Sequence, residues 1–379
     1  MRIFFAVPRS AWVDLNLRRS LEAMGHELVR FDFPGWPDEA DQSWQRVGKP
    51  RTNERLLSAF RAARRQRRVD LFYGYLYSSV AYPATVELIR QSGVPTVNFS
   101  CNNVHQFNLV RDIAPRFDVC VVPERAALAD FKAVGANPVR IQLAANPDVY
   151  RPYPEPRMYD VTFVGQRYAD RAELLAYLAR NGIHVRAWGA GWQTRKRLDL
   201  AHARAALALF EDERLDGLRR LVHQRLARGG SRGRGVQSPA ADARATDTSG
   251  FGGPRLLQTD LVKSFSRSRV SLGFATAGTS HLSQKRLTHL RLREFEAPMS
   301  GALYLTEQQA ELAEYFEPGK EVLTYVDRQE LLDKARYYLG HQEESERIRR
   351  AGFLRARGAH TWQHRFRELF GVLGLAERT

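Results

Sequence analysis

The sequence predicts an α/β protein made of two doubly wound halves. Three observations carry that prediction. Short apolar runs and amphipathic segments alternate from the first residues onward, as strands and helices do around a parallel sheet. A proline-rich stretch without periodicity, residues 144–156, interrupts them and reads as a linker. The alternation restarts at about residue 158 and runs towards the C-terminus. At 379 residues the chain is too long for one ordinary core and suits two.

In the first half, residues 2–7 read as a strand and 14–24 as a helix with Leu15, Leu17, Leu21 and Met24 on its apolar side. Gly25 is the stop signal, and 26–33 is a second strand closed by Pro34-Gly35. The first loop, Pro8-Arg9-Ser10-Ala11-Trp12, is no glycine fingerprint and predicts no dinucleotide site. Residues 36–52 read as polar loop and 55–68 as a basic helix. Strands follow at 70–76, 95–99, 118–122 and 139–143, with helices at 82–92 and 124–134. Ligands of such sheets gather at the carboxyl ends of strands. That singles out Ser100-Cys101-Asn102-Asn103-Val104-His105, which follows a strand directly.

The second half opens with a strand at 160–164, the turn Gly165-Gln166-Arg167, a helix at 169–181 and a strand at 185–188 ending in Gly189-Ala190-Gly191-Trp192. Residues 196–228 are charged and helical, and 229–253, rich in glycine, serine, arginine and alanine, read as a flexible surface insertion. A helix at 256–268 and a strand at 270–274 precede the stretch on which the second half turns, 290–306. There Leu292, Phe295 and Met299 keep helical spacing, Ser300-Gly301 breaks it, and 302–305 form a buried strand. Beyond it come a helix at 307–316, a strand at 321–325, and helices at 328–339, 343–358 and 361–373.

Apolar residues make up 44% of the chain, enough for real cores, and no run of 18 of them offers a membrane span. Two cysteines, Cys101 and Cys120, make neither a disulfide framework nor a metal site, so a reducing cytoplasm is expected. The formal charge of +16 favours anionic partners. Its arginine runs, 61–68 and 219–234, are clustered rather than interleaved with aromatics on a sheet face, which argues against nucleic acid. They suit an anionic acceptor or peripheral contact with the inner face of the membrane. The acidic triplet Glu211-Asp212-Glu213 sits on a charged helix and reads as solvated surface, so no metal pair is expected.

Several longer motifs go further. Residues 160–169, 292–301, Phe316-Glu317-Pro318-Gly319-Lys320-Glu321 with Tyr325, and His360-Thr361-Trp362 together resemble the CgeB-like, spore-maturation type of group 1 glycosyltransferases. The resemblance covers about 158–370 and is looser before that, through Gly25-His26-Glu27, residues 98–103 and residues 144–148. It implies the GT-B architecture: two Rossmann-like domains facing across a cleft, with a C-terminal helix crossing back. Residues 1–150 would be the acceptor side, 158–360 the nucleotide-sugar domain with its insertion at about 229–253, and 361–379 the returning helix. The implied activity is a metal-independent hexosyltransferase without cofactor. It would move a sugar from a nucleotide-sugar donor, a UDP-sugar first, to a glycan, lipid, protein or small molecule.

The resemblance also places residues. Gly165 and Arg167 fall where a basic turn meets the diphosphate, a role that needs multidentate positive donors. Gly189 and Gly191 fall where backbone approaches the base, on which Trp192 would stack. Glu296 matches the carboxylate that accepts the ribose hydroxyls. Arg291 and Arg293, with Lys285, Arg286 and amides in residues 276–280, are further phosphate contacts. Asn102, Asn103 and His105 would face the cleft, His105 either bonding the donor sugar or acting as base in an inverting enzyme. Asp14 is an alternative base. The family pattern has a second glutamate eight positions before the ribose one, and here Thr288 stands there. Three other readings remain open: an epimerase of the same architecture, a non-catalytic basic protein holding nucleic acid or an acidic polymer, and a degenerate transferase kept as a structural partner, which Thr288 leaves open.

Overall fold

The computed structural model describes residues 1–35, 37, 41–193, 246–279 and 286–375. The helix expected at 196–228 and most of the insertion expected at 229–253 lie outside the described residues. The first half is built on β1 (Arg2–Pro8), β2 (Glu27–Phe33), β3 (Leu71–Gly74), β4 (Thr96–Phe99), β5 (Val119–Val121) and β6 (Pro138–Val139). All pair in parallel, in the order β2-β1-β3-β4-β5-β6. Every residue of β1, β3, β4 and β5 is buried, as continuous apolar strands covered on both faces must be.

The second half follows the same plan. Its strands are β7 (Tyr159–Val164), β8 (Val185–Trp188), β9 (Gly252–Gly253) and β10 (Ser268–Leu272). An antiparallel hairpin, β11 (Thr276–Thr279) and β12 (Arg286–Thr288), precedes β13 (Tyr304–Glu307) and β14 (Leu323–Tyr325). The parallel order is β14-β13-β10-β7-β8-β9. Sheet growth therefore reverses between β1 and β3 in the first half and between β7 and β10 in the second. Both reversals open a crevice beyond the carboxyl ends of those strands.

The chain returns to the first half at its end. Ala145 bridges Thr361 in parallel, and Arg365 donates to the carbonyls of Gln142 (3.0 Å) and Leu143 (3.4 Å). The last helix, Trp362–Val372, then sets Trp362 edge-on to Trp12 and Phe99, and Phe366 edge-on to Tyr73, all of the first half. A second seam is ionic: Arg125 and Arg140 pair with Glu314 at 2.6 and 2.8 Å, and Arg140 with Glu311 at 3.1 Å. Among the described residues no helix is long and apolar enough to cross a membrane.

Several boundaries differ from the expected ones. The helix expected to begin at 55 already spans Lys49–Gln66, behind a wide turn at Trp44–Gly48. Trp44 anchors that turn by donating its indole N–H to the Ser79 carbonyl at 2.8 Å. The strand expected through 76 stops at Gly74 because the Asn98 side chain takes over, accepting from Leu76 N (2.9 Å) and donating to Leu76 O (3.1 Å). The helix expected at 307–316 is only a tight turn, Ala310–Glu314, since Glu307 still belongs to β13. The end of the expected insertion is sheet: Phe251 is buried, and its carbonyl accepts from Ala187 N at 2.9 Å.

Trp362 fastens the returning helix. Trp362→Ala is expected to cost about 3–5 kcal/mol, as removal of a buried large aromatic does, read as a lower midpoint in urea unfolding.

Candidate active site

The crevice of the second half begins with a carboxylate. Glu307, at the end of β13, accepts from Ala275 N and Thr276 N (both 3.1 Å) and from Thr276 Oγ1 (3.0 Å). That fixes the chain after β10 so that the Thr276 carbonyl faces the turn after β7. Three donors converge on that oxygen: Arg291 Nη2 at 2.9 Å, Tyr168 Oη at 3.3 Å and Arg171 Nη2 at 3.5 Å. Arg171 places its Cζ over the Tyr168 ring, 3.7 Å from the centre, and also donates to Gln166 O at 2.9 Å. It is only 4% exposed, and burial pushes its guanidinium down to about 10. Sequence reasoning took Arg171 as an ordinary helix residue; nothing in its spacing marks it.

Arg293 donates through Nε to Val164 O, the last carbonyl of β7, at 3.3 Å, and pairs with Glu296 one turn along its helix. Glu296 is 0% exposed, with Arg293 as its ionic partner. Arg167 is half-buried beside this group but tied elsewhere, donating to Thr246 O (3.0 Å) and Thr248 Oγ1 (3.5 Å). Arg291, Arg293, Glu296 and Arg167 therefore share one end of the second sheet with Arg171 and Glu294. Lys285 and the Arg286 side chain lie outside the described residues.

Three expectations, those for Trp192, Asn103 and Asp14, need correction. Trp192 is 0% exposed, packs on Phe163 and Phe251 and donates its N–H to Gly165 O at 2.7 Å; it is core and has no face for a base. Gly189 serves chain-to-chain packing, since at φ +143° an added Cβ would lie 2.1 Å from the Gly165 carbonyl. Gly191 and Gly165 belong to the same packed pair of loops, with Arg167 N donating to Ala190 O at 2.9 Å. In the first half, Asn103 is buried and braces its loop, donating to Glu124 Oε2 (2.9 Å) and Ser100 O (3.0 Å). It does not reach the cleft. Glu124 also accepts from Asn102 N, which holds Asn102 at φ 61° with its side chain exposed. His105 is exposed and its ring meets that of His289, from the other half, at 6.0 Å. Asp14 is held by Arg18, whose hydrogen bonds keep its carboxyl below the usual range, a poor base.

Against known families, the model of the family described as glycosyl transferase-like matches residues 167–371, more than half of the chain. The chain belongs to that family. Its fold matches solved structures over nearly all of this chain. Sucrose-phosphate synthase from Thermosynechococcus elongatus aligns with a TM-score of 0.57 at 11% identity, covering 98% of this chain and 100% of that one. HepE of Anabaena, in complex with UDP and glucose, aligns with a TM-score of 0.57 at 12% identity, covering 99% and 100%. A Listeria monocytogenes chain described as a UDP-N-acetylglucosamine 2-epimerase shares the fold, with a TM-score of 0.54 at 11% identity and coverage of 100% and 98%. The GT-B fold thus hosts both transferase and epimerase, and the family match decides for the transferase. A search of curated proteins finds no match.

The glycosyltransferase keeps one further carboxyl among its arginines. Glu294 is 0% exposed, and its Oε2 accepts from Arg291 N at 2.7 Å. Burial pushes it up to about 7, against the pull of Arg291 and Arg171. The unfolded value is about 4.3, so the folded state binds the extra proton between the two. Stability attributable to Glu294 is therefore intact below the lower value and falls as pH rises towards the upper one. The stability of Glu294→Gln relative to wild type is expected to grow by about 3 kcal/mol between those limits, measured by denaturant unfolding at a series of pH values. The buried His289 and His360, pushed down to about 3 and about 4, respond in the opposite sense but equally in both proteins, so the difference isolates Glu294.

Proposed function

We propose that this glycosyltransferase binds a nucleoside diphosphate sugar, a UDP-sugar first, at the carboxyl ends of β7 and β10. The observation that carries the reading is the convergence of Arg171 and Arg291 on one carbonyl, with Arg293 at the end of the adjoining strand. Arg167 Nε, Arg171 Nε and Arg291 Nε are buried without a hydrogen-bond partner among the described residues. Guanidinium groups that keep unused N–H donors suit the oxygens of a diphosphate. As the glycosidic bond breaks, charge develops on the departing diphosphate, and fixed positive groups stabilise it there. Arginine supplies that stabilisation in this reading, without a metal.

Glu296 enters when the donor does. Arg293 leaves the carboxylate for phosphate, and Glu296 becomes available to the ribose diol, which it suits by accepting two hydrogen bonds. On the acceptor side, Asn102 and His105 stand exposed on the loop after β4. His105 either bonds the donor sugar or takes the acceptor proton. The motifs at 292–301 and His360-Thr361-Trp362 support membership of the CgeB-like branch. The charge of +16 supports an anionic acceptor, such as a phosphorylated lipid or acidic glycan, at the inner face of a membrane.

A melting screen against UDP, GDP, TDP, CDP and ADP tests the donor reading, because a ligand bound only by the native state raises Tm. UDP is expected to raise it; folded protein indifferent to all five would sink the proposal. Arg291→Ala is expected to weaken UDP about tenfold or more, in line with a lost hydrogen bond to a charged group, and to leave uridine binding unchanged. Calorimetric titration of both ligands reads the difference.

A further inference from the structure

His289, between β12 and the helix Arg293–Met299, has no role in the reading so far. It is 8% exposed, and its Nδ1 is buried with no hydrogen-bond partner among the described residues. Its backbone N–H donates to Ala275 O at 3.4 Å, which ties it to the chain just before Thr276. Native proteins seldom leave a buried ring nitrogen unmatched, so an unmatched one at a cleft asks for a ligand atom. The ring also marks a particular place. It meets His105 edge to face at 6.0 Å, and His105 belongs to the opposite half. Arg291, two residues along, and Arg171 lie close enough to act on it electrostatically. Burial, followed by Arg291, His105 and Arg171, holds the imidazole neutral, pushed down to about 3.

A neutral imidazole carries one donor and one acceptor. Whichever of the two Nδ1 is, a hydroxyl can partner it, because a hydroxyl both gives and takes a hydrogen bond, whereas an ionised phosphate or carboxylate can only accept. The position agrees with this chemistry. In a nucleotide sugar the first sugar ring is bonded directly to the terminal phosphate. A hydroxyl-seeking group beside phosphate-seeking arginines, on the side facing the other half, is within reach of that ring.

We propose that His289 hydrogen-bonds a hydroxyl of the donor's sugar and so takes part in choosing which sugar is transferred. This rests on the donor reading above, with the arginines taking the diphosphate. Thr288, its neighbour, is exposed at the end of β12 and does not fill the same buried position.

The test separates the sugar from the nucleotide. Wild type, His289→Asn, His289→Ala and His289→Phe are titrated calorimetrically with UDP, UDP-glucose, UDP-galactose and UDP-N-acetylglucosamine, after thermal melts have identified the folded variants. Wild type is expected to bind at least one sugar nucleotide about tenfold more tightly than UDP. His289→Phe and His289→Ala are expected to bind UDP within about twofold of wild type and to lose that sugar increment. His289→Asn, whose amide can stand where Nδ1 stands, should keep part of it. If His289→Phe does not fold, His289→Ala, which adds no bulk, carries the same expectation. Wild type that fails to bind UDP overturns the UDP-donor reading. UDP binding with an equal sugar increment in wild type and the Ala variant, or with no increment for any sugar in wild type, overturns the role of His289 alone.

Discussion

Positive charge placed out of water is the constraint on which the second half depends. A guanidinium group removed from solvent is costly unless its donors are met. Here they are met largely by neutral carbonyls: Thr276 O takes both Arg171 and Arg291, Gln166 O takes Arg171, and Val164 O takes Arg293. Carbonyls can do this only where strands end, because inside the sheet they are committed to the ladder. Glu307 completes the arrangement by holding Ala275 and Thr276 in place. The fold and the charge therefore need each other: the end of β7, the turn after it and the start of β11 supply the carbonyls, and the carbonyls make a largely desolvated cationic floor tolerable. That floor retains unused N–H donors, which is a physical basis for affinity towards a diphosphate.

Carboxylates near this floor are divided by environment. Glu307 is matched to three donors and acts as scaffold. Glu296 is neutralised by its helix neighbour Arg293. Glu294 has one oxygen on Arg291 N and the other without a partner among the described residues, and burial pushes it towards its neutral form.

Much of this was legible in the sequence. Strand and helix alternation gave both sheets, because a strand buried on both faces must be continuously apolar, as β1 is. Gly301, at φ 74°, ends its helix where the helical spacing of Leu292, Phe295 and Met299 breaks. Arg291, Arg293 and Glu296 stand out in the sequence because they lie on one short motif. What escaped depends on contacts distant in sequence. Arg171 looks like a helix residue until Tyr168 and Thr276 are set beside it. Trp192 is an aromatic after a glycine loop, and only Phe163, Phe251 and the Gly165 carbonyl show that it faces inward. Asn103 sits in the right loop, yet Glu124, 21 residues away, turns its amide into the protein. His289 carries no spacing signal at all; its significance appears when His105 arrives from the other half.

The paired crossing at Ala145 and Thr361 has a mechanical meaning. Two passages of chain run between the halves, and here they are joined side by side, with Ala145 N donating to His360 O and Trp362 N to Ala145 O. A single tether would leave one half free to tumble about the other. Two tethers stitched together act as a door hinge, permitting rotation about one line and resisting sliding and twisting. The ion pairs of Arg125 and Arg140 with Glu311 and Glu314 then serve as a latch on that door, one that dissolved salt weakens because the partners are partly open to solvent.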